Sequence, residues 1–96
     1  MSRVIWAAAA TDDLRALKAY YEEMSGAVTA QVLVDRIVLA TDWLLDWPYA
    51  GREIGGTGWR KWKPRRTPHV LVYRPVEGGI EISRVRHERE NWLADL

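Results

Sequence analysis

GWRKWKPRRTPHVLVYRPVEGGIEISRVRHERENW, running from Gly58 to Trp92, decides how the rest of the chain is arranged. Trp59, Lys61 and Lys63 share one parity while Arg60 and Trp62 share the other, so residues 59–63 read as a strand. Pro64-Arg65-Arg66-Thr67-Pro68 follows as a basic turn. His69–Arg74 is a second strand, with Val70 and Val72 opposite Leu71 and Tyr73, and Pro75 is placed at its end, where a missing donor is tolerated. Glu77-Gly78-Gly79 then supplies a tight hairpin turn. Ile80–His87 closes the set, and because Ile80 and Ile82 share a parity that Val85 breaks, a bulge or burial on both faces is expected within it. Three consecutive antiparallel strands result. Glu88–Leu96 reads as a short tail with a helical turn, anchored by Trp92 and Leu93.

Working back from this meander, Ser2–Ala7 is β-branched and aromatic and reads as a first strand. Thr11 is expected to cap a helix, with Asp12 and Asp13 in its first turn, where the helix dipole favours negative charge. Leu14, Leu17, Tyr21 and Met24 recur at helical spacing, and Gly26 ends the run. A longer helix follows over about 27–47, with Gln31, Asp35, Asp42 and Asp46 as its solvent stripe and Ala30, Val34, Ile37, Leu44 and Leu45 inward. Pro48 stops it. The short link makes an antiparallel helical hairpin, whose apolar surface must be buried on the sheet. Tyr49–Gly58, with four glycines, reads as a loop; its glycines lack phosphate-loop spacing, which sets nucleotide binding aside. The expected fold is α+β, in the order β-α-α-β-β-β, with the hairpin on a small, largely antiparallel sheet and residues 1–96 forming one domain.

Composition narrows the function classes. The 96 residues contain no cysteine, which removes disulfides and thiolate chemistry and favours a reducing cytoplasm. No apolar run is long enough to cross a bilayer, and Val4–Ala10 is too short for a signal core. The net charge of +1 conceals an asymmetry. Residues 1–50 hold four Lys/Arg against seven Asp/Glu, whereas residues 51–96 hold ten against six. Such a basic half suits a polyanion or an acidic protein segment, and equally an ordinary solvated surface. The two histidines and scattered acids have no ligand spacing, so neither a metal nor a cofactor is expected.

Particular residues join the element order. Ala10, Asp13 and Leu14 with Tyr20-Tyr21 open the first helix, and Pro48, Gly51 and Arg52 follow the second. Trp59-Arg60 stands in the next strand, then Pro68-His69-Val70-Leu71-Val72-Tyr73-Arg74, then Ile80–His87 with Arg89 and Trp92. In this order, over essentially the whole chain, they resemble the RelE/ParE superfamily of toxins from bacterial type II toxin–antitoxin modules. The resemblance implies a growth-inhibiting toxin held in a hetero-oligomer by a cognate antitoxin, whose C-terminal segment packs partly as a helix on the hairpin and partly along the sheet.

The superfamily holds two activities. RelE-like members cut mRNA on the ribosome, and on that reading Arg60, Arg84 and His87 are the catalytic candidates, with Lys61 and Lys63 beside them. His87 is the natural acid or base, since imidazole titrates near neutrality. A tyrosine that many RelE-like nucleases keep near the C-terminus is missing, because the last one is Tyr73. ParE-like members instead poison DNA gyrase, and the start of the first helix, Gly51-Arg52 and the tail ending in Trp resemble that branch more closely. Here the tail is the expected target contact. Trp59, Lys61, Lys63, Arg65, Arg66, Tyr73, Arg74, Arg86 and Trp92 are the candidate contacts to target or antitoxin. Plainer roles stand beside these: His87 bonding the neighbouring loop or Trp92, Arg60 and Arg84 pairing with Glu81 or Glu88, His69 simply exposed, and at least one tryptophan in the core. Outside toxins, a protein- or RNA-binding module of the same fold is the remaining class.

Overall fold

The computed structural model describes residues 2–90. The order is β1 (Arg3–Trp6), α1 (Ala8–Ser25), α2 (Ala27–Asp46), β2 (Arg52–Glu53), β3 (Arg60–Trp62), β4 (His69–Val76) and β5 (Gly79–His87). The strands form one sheet in the order β1-β5-β4-β3-β2, in which only β1 and β5 run parallel. The hairpin covers one face. Ala10, Leu17, Ile37 and Leu44 pack there against Leu71, Tyr73, Ile80, Ile82 and Val85, with Trp62 packed at the margin of this core.

The α+β architecture is as expected, with three corrections. First, α1 starts at Ala8 and Thr11 is not its cap. Ala7 still belongs to the sheet, donating its N–H to Ile82 O at 3.0 Å while its own carbonyl accepts from Thr11 N. Ala8-Ala9-Ala10, the best helix formers, therefore begin the helix directly after the strand. Asp12 and Asp13 lie beyond the first turn, and Asp13 has another task. Second, the glycine-rich loop contains β2, which pairs Arg52 with Lys61 and Glu53 with Arg60. Third, β4 runs through Pro75 to Val76, because Pro75 pairs with Ile80 as the strand closes on the hairpin turn.

The bulge falls where the parity conflict placed it. Val72 pairs with Arg84 and Tyr73 with Ile82, so Ser83 is the extra residue. It carries Ile80 and Ile82 before it, and Val85 after it, to the same buried face. At the turn, β1 passes so close to Gly79 that a Cβ there would meet the Arg3 backbone at 1.8 Å, which explains a glycine at the start of β5. The helical periodicity of α1 outlasts its burial: Met24 closes the apolar series yet is 65 % exposed. The tail anchors Trp92 and Leu93 lie outside the described residues.

Candidate functional site

Parity along β3 sorts the basic residues between the two faces of the sheet. Arg60 and Trp62 pair with Tyr73 and Leu71, which face the helices, whereas Lys61 pairs with Val72 on the opposite face, where Arg84 also pairs. Arg60 is tied to the corner after α2. Its Nη1 donates to Gly51 O at 2.7 Å and to Tyr49 O at 3.3 Å, and the guanidinium lies 5.0 Å from the centre of the Tyr49 ring. Tyr73 holds the same corner from within the core. It is fully buried, donates to Pro48 O at 2.8 Å and accepts from Gly51 N at 2.9 Å. It is therefore a structural strut and not the contact residue expected. Burial pushes its hydroxyl pKa up, against the Gly51 N–H and the Arg60 charge.

Arg84 is engaged on the far edge. Its Nε and Nη2 grip the Asp13 carboxylate at 2.8 and 2.9 Å, the bidentate form that makes such pairs strong. Asp13 Oδ2 also accepts from the Val85 N–H at 3.0 Å. The reason lies in strand lengths: β1 stops pairing at Ile82, and Asp13 takes over the open edge of β5 just beyond. Burial alone raises the Asp13 pKa. The Arg84 hydrogen bonds, the Val85 N–H and the charges of Arg84 and Arg86 outweigh it, and the net shift is downward. Arg84 thus pairs with Asp13 and not with Glu81 or Glu88. Glu81 is held by Arg74 at 2.8 Å, and Arg74 also lies over the Trp59 ring at 4.5 Å. Lys63 reaches Glu88 at 3.5 Å and Arg86 reaches Glu90 at 3.6 Å. Arg66 sits in the left-handed region at φ 58°, with its carbonyl accepting from Arg36 Nη1 at 3.2 Å, which shapes the exposed basic turn beside Arg65.

His87 and His69 face each other as register partners at the end of β4–β5, their rings edge to face at 5.5 Å. His69 is buried, contrary to the exposed position expected, because α1 lays Tyr21 over it. Tyr21 Oη lies 3.4 Å from His69 Nε2. Burial, then the charge of His87, pull its pKa down, against a hydrogen bond to the Arg86 backbone and the carboxylates of Glu90 and Glu88. These rings, with Asp13, Tyr20 and Arg86, line an open cleft of about 460 Å³. Among the described residues no group of three His, Cys, Asp or Glu is placed to hold a metal ion. Arg60, on the helix-facing side, and Arg84, clamped across the β5 edge, do not converge with His87.

The larger feature lies on α2, and the sequence reading missed it. Val28, Val32, Leu39, Trp43 and Trp47 are all exposed, at spacings of four, seven, four and four. That places them in one stripe of about 28 Å, beside the polar stripe and away from the core. Trp43 stacks on Trp62 of β3 at 4.9 Å and lies 6.3 Å from Trp47. Around this ladder is a groove of about 650 Å³, mostly apolar, flanked by Arg36, Arg65, Asp42 and Asp46. Tyr49, 70 % exposed, continues the apolar surface past the helix end. A run of exposed aromatics of this kind marks a protein-binding surface. The pair of tryptophans four residues apart was its signal in the sequence.

The family model described as the ParE toxin of type II toxin-antitoxin system, parDE, matches residues 4–92. The chain belongs to the ParE toxin family. A solved structure entitled "Chromosomal ParDE TA system from P. aeruginosa" superimposes with a TM-score of 0.79 at 27 % identity, covering 91 % of this chain and 96 % of that one. Among curated protein sequences, none matches the chain significantly. Within the RelE/ParE superfamily the chain therefore stands on the ParE branch, and its two helices on a mixed five-stranded sheet are those of a ParE toxin.

Proposed function

We propose that this ParE-family toxin inhibits growth by poisoning DNA gyrase in the cytoplasm and is neutralised by a cognate antitoxin that lays an amphipathic helix along the α2 stripe. The observation that carries the gyrase reading is the division of Arg60 and Arg84 between the two faces of the sheet, each already bound to groups of its own chain. A ribonuclease that activates a 2′-hydroxyl and neutralises a phosphorane needs its cations and its acid or base around one phosphate. Family membership over residues 4–92 supports the same branch.

The stripe supports the antitoxin. It offers about five helical turns of apolar contact, ending in the aromatic ladder of Trp62, Trp43 and Trp47. Arg36, Arg65, Asp42 and Asp46 around the groove add charges of both signs to the apolar face that a partner helix would meet. Lys61, Lys63, Arg65, Arg66 and Arg86 are read as the contacts for an acidic extension of that partner, and the tail with Trp92 as a contact with gyrase.

Inducible expression of the chain alone in bacteria, following DNA damage signalling and bulk protein synthesis separately, tests the reading. Filamentation and damage signalling with translation intact is the expected result. Rapid arrest of translation with cleaved messages would return the ribonuclease to first place.

A further inference from the structure

We propose that the His87 imidazole is a proton-operated latch on the turn that leads out of β5, closed while the ring is neutral and opened when it takes a proton. Three hydrogen bonds close this turn. His87 N–H donates to Glu90 Oε1 at 2.8 Å, Glu90 N–H donates to His87 O at 2.9 Å, and Arg89 N–H donates to His87 Nδ1 at 3.1 Å. The third makes the ring part of the backbone scheme. To accept there, Nδ1 must keep its lone pair, so the neutral ring carries its proton on Nε2. An imidazolium has N–H on both nitrogens and accepts at neither. Protonation therefore replaces an attraction at Arg89 by two N–H groups aimed at each other.

The surroundings act in the same direction. On β4, His69 faces the His87 ring, buried beneath Tyr21 with its pKa lowered by that burial, and offers no negative charge to a proton on His87. From α1, Tyr20 and Tyr21 line the cleft beside His87, while the Asp13 carboxylate there is already gripped by Arg84. Arg86 on β5 and Lys63 beyond β3 are cations, paired with Glu90 and Glu88 respectively. Both carboxylates are thus already engaged before the ring takes a proton. The functional consequence rests on the proposed role of the tail at the target: acidification opens the turn over residues 87–90, through which the chain leads to that tail.

Amide hydrogen exchange on the full chain tests the latch, comparing the protection of the Arg89 amide with that of Leu71 and Tyr73 in β4 so that any global loosening divides out. Between about pH 8 and about pH 5.5 the relative protection of Arg89 should fall on the order of tenfold, the scale of one hydrogen bond. His87→Asn places an amide oxygen near the position of Nδ1 without a titrating group and should hold the protection constant. His87→Phe should show the opened value at both pH values. Relative protection that is constant in the natural chain, or that falls equally in His87→Asn, would overturn the latch. Gyrase binding indifferent to pH, with the latch opening as described, would instead remove the tail's role at the target.

Discussion

Asp13 does the work of two partners, a counter-ion for Arg84 and an acceptor for the orphaned Val85 N–H. Asp13→Ala should lower unfolding stability by about 2 kcal/mol in denaturant melts, whereas Asp12→Ala, one residue away and exposed, should stay within about 0.5 kcal/mol. Because folding lowers the Asp13 pKa below its ordinary 3.8, its contribution is present above that value and is lost as the pH falls through it. His69 works in the same sense higher on the scale. Its pKa is depressed below 6.5, so the unfolded chain binds the proton first and stability declines as the pH drops below about 6.5. Replacing His69 with phenylalanine should flatten that part of a stability–pH curve, and an unchanged slope would assign the loss elsewhere. Gly51 is the third such residue. A Cβ there would stand 2.5 Å from Tyr73 Oη and 2.7 Å from Lys61 O, so Gly51→Ala should cost about 1–3 kcal/mol. Gly55→Ala, with open space around it, should be close to neutral.

At the scale of elements, α2 carries two apolar faces, one packed on its own core and one exposed, the face proposed for the antitoxin. Trp43→Ala should weaken binding of the antitoxin's helical segment by more than about tenfold, the usual consequence of removing an aromatic anchor, while changing the thermal midpoint little. Equal loss of stability and binding would make the Trp43–Trp62 stack a core contact only. Strand parity and helical spacing were enough to locate the meander, its bulge and the hairpin, because each buries a periodic face on a single core. What escaped them depended on pairing at a distance. Arg52–Glu53 is a strand only because β3 lies beside it, and Ala8 rather than Thr11 opens α1 because Ala7 is still bonded to β5. The Asp13–Arg84 clasp joins residues far apart in the chain, although a carboxylate spaced with Ala10 and Leu17 on the core face of α1 was already its mark. The outward stripe was obscured because Trp43 and Trp47 read naturally as the end of an amphipathic helix.

For the whole molecule, the basic half forms β2 to β5 and the acidic half β1 and the hairpin, and four of the ten cations in the basic half are answered by carboxylates within the fold: Arg84 by Asp13, Arg74 by Glu81, Lys63 by Glu88 and Arg86 by Glu90. Charge asymmetry, prominent in the sequence, is therefore in part an internal feature of the fold, whereas the apolar stripe on α2 is exposed. The proposed toxin disables gyrase without cutting RNA itself. The most direct measurement mixes the purified full chain with DNA gyrase, ATP and supercoiled plasmid, traps covalent complexes with detergent, and counts linear DNA as toxin is added. Linear DNA that rises with toxin, and falls back when antitoxin is supplied, is the predicted result. No linear DNA at saturating toxin, together with toxin-dependent cleavage of mRNA on ribosomes, would contradict it.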